Sequence, residues 1–162
     1  MNKFLILLTI IFMDFLTGME FDLFVPSFPE LQQHFNLTPF WVEALLSSNF
    51  IAYCFSLFVV GDLADRIGRK PIILSGLILF ILGGVLCWWG GSYSFLITGR
   101  FLQGLGIAAP AVLSFLIISD SYPVNKQQYL FSLLNGSMNI AVALSPLAGS
   151  YITKYYHWQG NF

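Results

Sequence analysis

Three charged side chains stand inside long apolar stretches of this 162-residue sequence. Asp14 lies in the middle of the first stretch, Asp22 lies near its end, and Arg100 lies in a later one. An acid at the centre of a bilayer costs about 2.5–3.5 kcal/mol on insertion scales, so it normally faces a partner or a polar cavity. A carboxylate there can take up and release protons, and a guanidinium, which stays charged, can pair with it. A neutral, hydrogen-bonded Asp14 with a packing role is the alternative.

Helical geometry relates these acids to one another. On a regular helix Asp22 lies about 80° around the axis from Asp14, whereas Glu20 lies about 160° from Asp22. Asp14 and Asp22 therefore share one side, and we expect Glu20 to lie at the outer mouth of the span or at headgroup level. Arg100 is then expected to pair with Asp14 or Asp22. Snorkelling of Arg100 towards the membrane surface is the alternative.

The elements that carry these residues are predicted to be membrane-spanning helices. Hydrophobic residues make up 57% of the chain and charged residues 9%, which excludes a soluble globular enzyme. A helix needs roughly 20 apolar residues to cross the hydrocarbon core. The apolar runs are continuous rather than alternating, which disfavours a β-barrel. The sequence thus predicts an all-α membrane protein with five spans, at about 4–25, 41–60, 72–89, 95–118 and 129–152.

The distribution of basic residues predicts the orientation. Arg66, Arg69 and Lys70 lie between the second and third spans, Lys126 lies between the fourth and fifth, and Lys3 precedes the first. Lysine and arginine concentrate in cytoplasmic loops. We therefore expect the N-terminus and the 61–71 loop to be cytoplasmic.

The 61–71 loop carries the most specific motif. It reads G-D-L-A-D-R-I-G-R-K-P and matches the pattern G-x-x-x-D-R-x-G-R-[RK]. Gly61 allows close helix approach and Gly68 allows a tight turn. The loop resembles the cytoplasmic signature of the major facilitator superfamily, which assigns the gate positions to Gly61, Asp65, Arg66, Gly68, Arg69 and Lys70.

Three further motifs support and refine this resemblance. The segment D-L-F-V-P-S-F-P from Asp22 is similar to the D-x-Y-L-P-A-L-P end of span one in drug:proton antiporters of the Bcr/CflA type. The segment R-F-L-Q-G-L-G from Arg100 is similar to the R-x-x-Q-G-x-G signature of span four. In span five the antiporter signature G-x-x-x-G-P-x-x-G-G is matched with three glycines replaced by small residues, and it falls on Ala141, Ser145, Pro146, Gly149 and Ser150.

The resemblance implies a proton-driven multidrug exporter of the bacterial inner membrane that works by alternating access. It implies that Asp14 and Asp22 take the proton and the charge of the substrate, and that Arg100 tunes them. Asp65, Arg66 and Arg69 would form a cytoplasmic lock, and Pro146 would set the bend of span five. The implied partners are membrane lipid, protons and a small-molecule substrate, with no cofactor, metal or nucleic acid.

The superfamily pattern needs about twelve spans in two halves, with the transport path between them. We therefore expect this chain to be an N-terminal part that lacks its sixth helix, to be inactive alone and to need a missing or separately encoded second half. The alternatives are a membrane module that binds or regulates another membrane protein, or half of a sugar or metabolite transporter. No nucleophile–base set suggests an enzyme. Cys54 and Cys87 lack metal-ligand spacing.

Overall fold

Helices account for all regular secondary structure of residues 3–162, the part of the chain that the computed structural model describes. Short 3-10 turns at Val25–Ser27 and Trp158–Asn161 supplement the longer helices. In chain order these helices are α1 (Lys3–Asp22), α2 (Phe28–Phe35), α3 (Pro39–Ile67), α4 (Arg69–Trp89), α5 (Tyr93–Ser121) and α6 (Val124–Tyr156).

Within the described residues, five helical segments are long and apolar enough to cross a membrane, as the sequence predicts. They are the α1–α2 segment, α3, α4, α5 and α6. Two helices run well beyond their apolar cores. Helix α3 continues through the polar residues 61–67, and α6 begins at Val124. The apolar pattern therefore locates the spans but underestimates these helices, because their polar end turns stay helical.

The five spanning segments alternate in direction, so their junctions fall at two ends of the bundle. The Gly68 end comprises the start of α1, the α3–α4 junction and the α5–α6 junction. There, the Tyr122 hydroxyl donates a hydrogen bond to the Lys3 carbonyl at 2.7 Å. The Gly90 end comprises residues 23–38, the α4–α5 turn and residues 157–162. Gly68 itself has φ 107°, a conformation that favours glycine, and it lets α4 start directly after α3.

Helix α5 is the centre of the bundle and packs against α1, α3 and α4. Its antiparallel contact with α4 is built on paired glycines. A Cβ at Gly76 would lie 2.6 Å from the Gly106 carbonyl oxygen, and one at Gly83 would lie 2.6 Å from that of Gly99. The two pairs stand seven residues apart on each helix, which is two turns. Backbone-to-backbone contact of this kind is how membrane helices gain packing energy.

Helices α1 and α6 form a second close contact, built on the small residues of the span-five motif. Ala141, Ser145 and Gly149 are buried and follow one another at intervals of four. A Cβ at Gly18 of α1 would lie 2.9 Å from the Ala141 Cβ, so a larger residue at either position would separate the helices. Pro146 lies on the exposed side, and α6 continues through it.

Candidate functional site

Arg100 is buried in the helix bundle with its guanidinium paired to Glu20. Its relative exposure is 1%, and its Nη1 donates to Glu20 Oε1 at 2.9 Å. The expectation that Arg100 pairs with Asp14 or Asp22 is therefore wrong. So is the expected position of Glu20 at the outer mouth, because its side chain is only 3% exposed.

The geometry of α1 explains the correction. Glu20 follows Asp14 by six residues, which places the two side chains about 120° apart around the helix. Helix α1 contacts both α5 and α6, so it has two inward faces. Asp14 uses the face towards α6 and Glu20 uses the face towards α5. The assumption of a single polar face on α1 caused the wrong pairing.

Helices α3 and α5 supply the rest of the buried polar group, which we call the Arg100 cluster: Glu20, Asn49, Arg100 and Gln103. The Asn49 side-chain amide donates to Glu20 Oε1 at 2.8 Å and to the Arg100 carbonyl at 3.1 Å. Arg100 Nη1 also donates to Gln103 Oε1 at 3.0 Å. A Cβ at Gly104 would lie 2.9 Å from the backbone carbonyl carbon of Asn49, so this glycine lets α3 approach. The span-four motif thus supplies three parts of the cluster. Arg100 carries the charge, Gln103 accepts a hydrogen bond from it, and Gly104 leaves the space that Asn49 occupies.

Two aromatic rings cover the guanidinium. The Arg100 Cζ lies 4.0 Å from the centroid of the Phe24 ring and 5.8 Å from that of the Phe162 ring. The Gln103 side-chain amide donates to the Phe162 carbonyl at 3.3 Å. A cation over an aromatic face gains electrostatic energy, most of all away from water. The rings therefore help to hold the charge of Arg100 inside the bundle.

Several buried polar atoms of the Arg100 cluster have no hydrogen-bond partner among residues 3–162. They are Glu20 Oε2, Asn49 Oδ1, and Nε and Nη2 of Arg100. Most buried polar groups in proteins are hydrogen-bonded, so several unbonded ones in one cluster indicate a functional site. The cluster retains both acceptor and donor capacity.

Asp14 lies apart from the Arg100 cluster, between α1 and α6. It is 1% exposed, and its Oδ2 accepts a hydrogen bond from the Ser137 hydroxyl at 3.2 Å. That hydroxyl also lies 2.8 Å from the Leu134 carbonyl, and its one proton can serve a single acceptor at a time. Asp22 lies at the end of α1, is partly exposed, and forms no salt bridge with any described residue.

The 61–71 motif is helical on both sides of Gly68 rather than a loop, and its charged residues form ion pairs at the Gly68 end. Arg66 pairs with Asp62 at 3.1 Å. Arg69 pairs at 3.1 Å with both Asp65 and Asp120 and so links the α3–α4 junction to the end of α5. A Cβ added at Gly61 would have no atom of the described chain within 4 Å. Lys70 is exposed. This surface has room for a partner.

Glu20, Asn49 and Phe24 belong to the site although their sequence positions did not predict it. Asn49 could have been found, because it is a lone amide between apolar residues of the second predicted span. Glu20 could have been kept as an alternative partner of Arg100, since an acid in an apolar run always calls for one. Phe24 carried no signal, because phenylalanine is common throughout the chain.

Both a family model and curated relatives match most of this chain. Residues 10–162 match the family model described as Major Facilitator Superfamily. Multidrug resistance protein MdtL of Escherichia coli is 30% identical over 141 residues, which are 87% of this chain and 36% of that protein. The MdtL proteins of Citrobacter koseri and Klebsiella pneumoniae are 29% identical over the same shares. The chain thus spans little more than a third of the length of these curated relatives.

Proposed function

This chain belongs to the major facilitator superfamily, and we propose that it is part of a proton-coupled secondary transporter that exports small molecules, including drugs, by alternating access. The observation that carries the proposal is the buried pair of Arg100 and Glu20 inside a membrane-spanning bundle. Ionisable groups at such depth are costly and mark substrate or ion pathways. The similarity to multidrug resistance proteins supports a drug-like substrate.

Asp14, Asp22 and Arg100 are the residues to which we assign the coupling chemistry. The burial of Asp14 and its hydrogen bond to a hydroxyl that has a second acceptor suit a group that gains and loses a proton. The partial exposure of Asp22 suits contact with the charge of a substrate. Arg100 supplies a fixed positive charge inside the bundle, where it is paired with Glu20.

The Gly68 end would be the cytoplasmic gate, in a protein of the bacterial inner membrane with a cytoplasmic N-terminus. The excess of basic residues at this end supports the orientation. The open space at Gly61 and the exposed side chain of Asp65 suit docking of a second transporter half. Asp65, Arg66, Gly68, Arg69 and Lys70 would then lock the two halves together in one state.

The second half would be a missing or separately encoded polypeptide, and the chain alone would be inactive. The transport path of this family lies between two halves. The matched region is 36% of the Escherichia coli MdtL protein, so that relative contains further sequence beyond it.

Efflux measurements test the proposal. Cells without other exporters would express residues 1–162 alone or together with a complementing second half, and extrusion of a cationic dye would be followed with and without an uncoupler. We expect uncoupler-sensitive efflux in the combined case alone. Saturable, uncoupler-sensitive efflux from the chain alone would contradict the need for a second half. If the uncoupler did not reduce efflux by the assembled transporter, proton coupling would be contradicted.

A further inference from the structure

The two carboxylate oxygens of Glu20 differ in their hydrogen bonds. Arg100 Nη1 and the Asn49 amide both donate to Oε1, at 2.9 and 2.8 Å. Oε2 is buried and accepts no hydrogen bond from the described residues. A proton can therefore bind to Oε2 without displacing either donor from Oε1.

On this geometry we propose that Glu20 is a further proton-exchanging carboxylate of the transporter, and that it takes up and releases its proton against Arg100. The inference rests on the proton-coupled transport proposed above. Asp22 keeps its assignment to the substrate charge and Asp14 lies on the α6 face, so Glu20 is an additional carboxylate with a role of its own.

The step balances without any further reactant. A hydronium ion transfers a proton to Glu20 Oε2 and becomes water, and the carboxylate becomes a neutral acid. No bond of the protein breaks, Arg100 keeps its charge, and the net charge of the Arg100 cluster rises from zero to plus one. Release of the proton on the other side of the membrane reverses each change.

The surroundings single out Glu20 as the partner of Arg100. The charged and titratable groups that act on it are Asp22 on α1, Tyr53 on α3, Cys87 on α4 and Arg100 on α5. Among these, Arg100 is the one that contacts the carboxylate directly. The Cys87 thiol is directed to the Leu96 carbonyl, at 3.6 Å.

Protonation of Glu20 would change the contacts of Gln103 and, through them, the packing of the Gly90 end. Arg100 Nη1 donates a hydrogen bond to Oε1 of Gln103, and the side-chain amide of Gln103 donates to the carbonyl of Phe162. Loss of the negative charge weakens the hold of Glu20 on Arg100, because an ion pair becomes a neutral hydrogen bond. Movement of Arg100 would then release Gln103 and the segment 158–162. Protonation of Glu20 would thereby loosen the packing of the segment 158–162 at the Gly90 end.

Infrared spectroscopy of the purified chain in lipid vesicles tests the assignment. Acidification should produce, within the carbonyl stretch of the protonated acids, a band that Glu20→Gln removes and that the matched exposed variant Glu43→Gln leaves intact. Arg100→Gln should move the midpoint of this titration to higher pH by about 1–3 units, because no ion pair then opposes protonation. The double variant Glu20→Gln/Arg100→Gln, which leaves no unpaired charge, should fold and lack the band. An unchanged band in Glu20→Gln, or its loss in Asp22→Asn, would overturn the assignment.

A transport measurement separates a coupling role from a structural one. In the assembled transporter, Glu20→Gln should keep exchange of substrate across the membrane without a gradient and lose proton-driven accumulation. Retention of both activities would contradict the role of Glu20, and so would loss of both in a variant that circular dichroism shows to be folded. If the wild-type transporter showed no proton-driven transport at all, the proposed function would fail, and the infrared titration would still decide whether Glu20 is the acid that titrates against Arg100.

Discussion

The Arg100 cluster and the Gly68 end use the same kinds of side chain in opposite surroundings. Arg100 and Glu20 have side-chain exposures of 2% and 3%, whereas those of Arg66 and Asp62 are 73% and 64%. An exposed pair contributes about 0–1 kcal/mol, because water screens both charges. Breaking a buried pair costs about 3–5 kcal/mol, because it leaves one charge unsolvated and unpaired. Burial, not residue type, should therefore decide which substitutions are tolerated.

The largest contrast is expected in transport. Asp14→Asn and Asp22→Asn should each abolish substrate-driven proton release from proteoliposomes that contain the assembled transporter. Each removes an acid from a membrane-spanning segment that we assign to coupling. Asp62→Asn, the same change on the exposed surface, should leave proton release within about twofold of the wild type. Wild-type release from both α1 variants would show that neither aspartate couples protons.

In stability, the ion pairs should differ by several kilocalories per mole. Glu20→Gln and Arg100→Gln should each lower the free energy of unfolding by about 3–5 kcal/mol, and the double variant should lose much less than the sum. Arg100→Lys should restore only part of the loss, because lysine lacks the planar fork. Unfolding of the purified chain, followed by circular dichroism, measures these values. Additive losses in the double variant would mean that the two charges do not interact.

The ion pairs of the Gly68 end could be predicted from the sequence more readily than the contacts of the Arg100 cluster, for a physical reason. At the Gly68 end, Asp62 and Arg66, or Asp65 and Arg69, are four residues apart on one continuous stretch, where helix geometry brings them together. The Arg100 cluster draws on α1, α3 and α5, and the angle at which helices face one another is not encoded in the spacing within any one of them.

The fold shows the same division. Five apolar runs suffice to predict five spans, since membrane crossing depends on length and hydropathy. The central position of α5 follows instead from glycines that lie opposite one another only after packing, such as Gly76 and Gly106. The buried position of Glu20 depends on α1 having two neighbours, α5 and α6. These contacts can be known only once the helices are placed relative to one another, which the spacing of residues within one helix does not reveal.

Glycine substitutions provide a smaller contrast between the same two regions. A Cβ at Gly104 would meet the backbone of Asn49, whereas one at Gly61 would meet no described atom. Gly104→Ala should therefore destabilise the chain by about 1–3 kcal/mol, as overpacking does. Gly61→Ala should be neutral or stabilising by up to about 1 kcal/mol, because alanine is the better helix former. Thermal unfolding of the two variants would compare them directly, and equal losses would mean that α3 does not pack tightly at Gly104.

The smallest effects should come from Arg66 and Arg69 at the Gly68 end, and the difference between these two arginines sharpens the comparison. Arg66→Gln should change the free energy of unfolding by less than about 0.5 kcal/mol, since both partners are solvated. Arg69→Gln should cost about 1 kcal/mol, because the Arg69 side chain is 26% exposed and contacts two carboxylates from different helices. Added salt should shrink the Arg69 effect, because screening weakens exposed pairs, and should leave the Arg100 effect almost unchanged. A salt-sensitive Arg100→Gln loss would mean that water reaches the Arg100 cluster, and the contrast in burial on which these predictions rest would disappear.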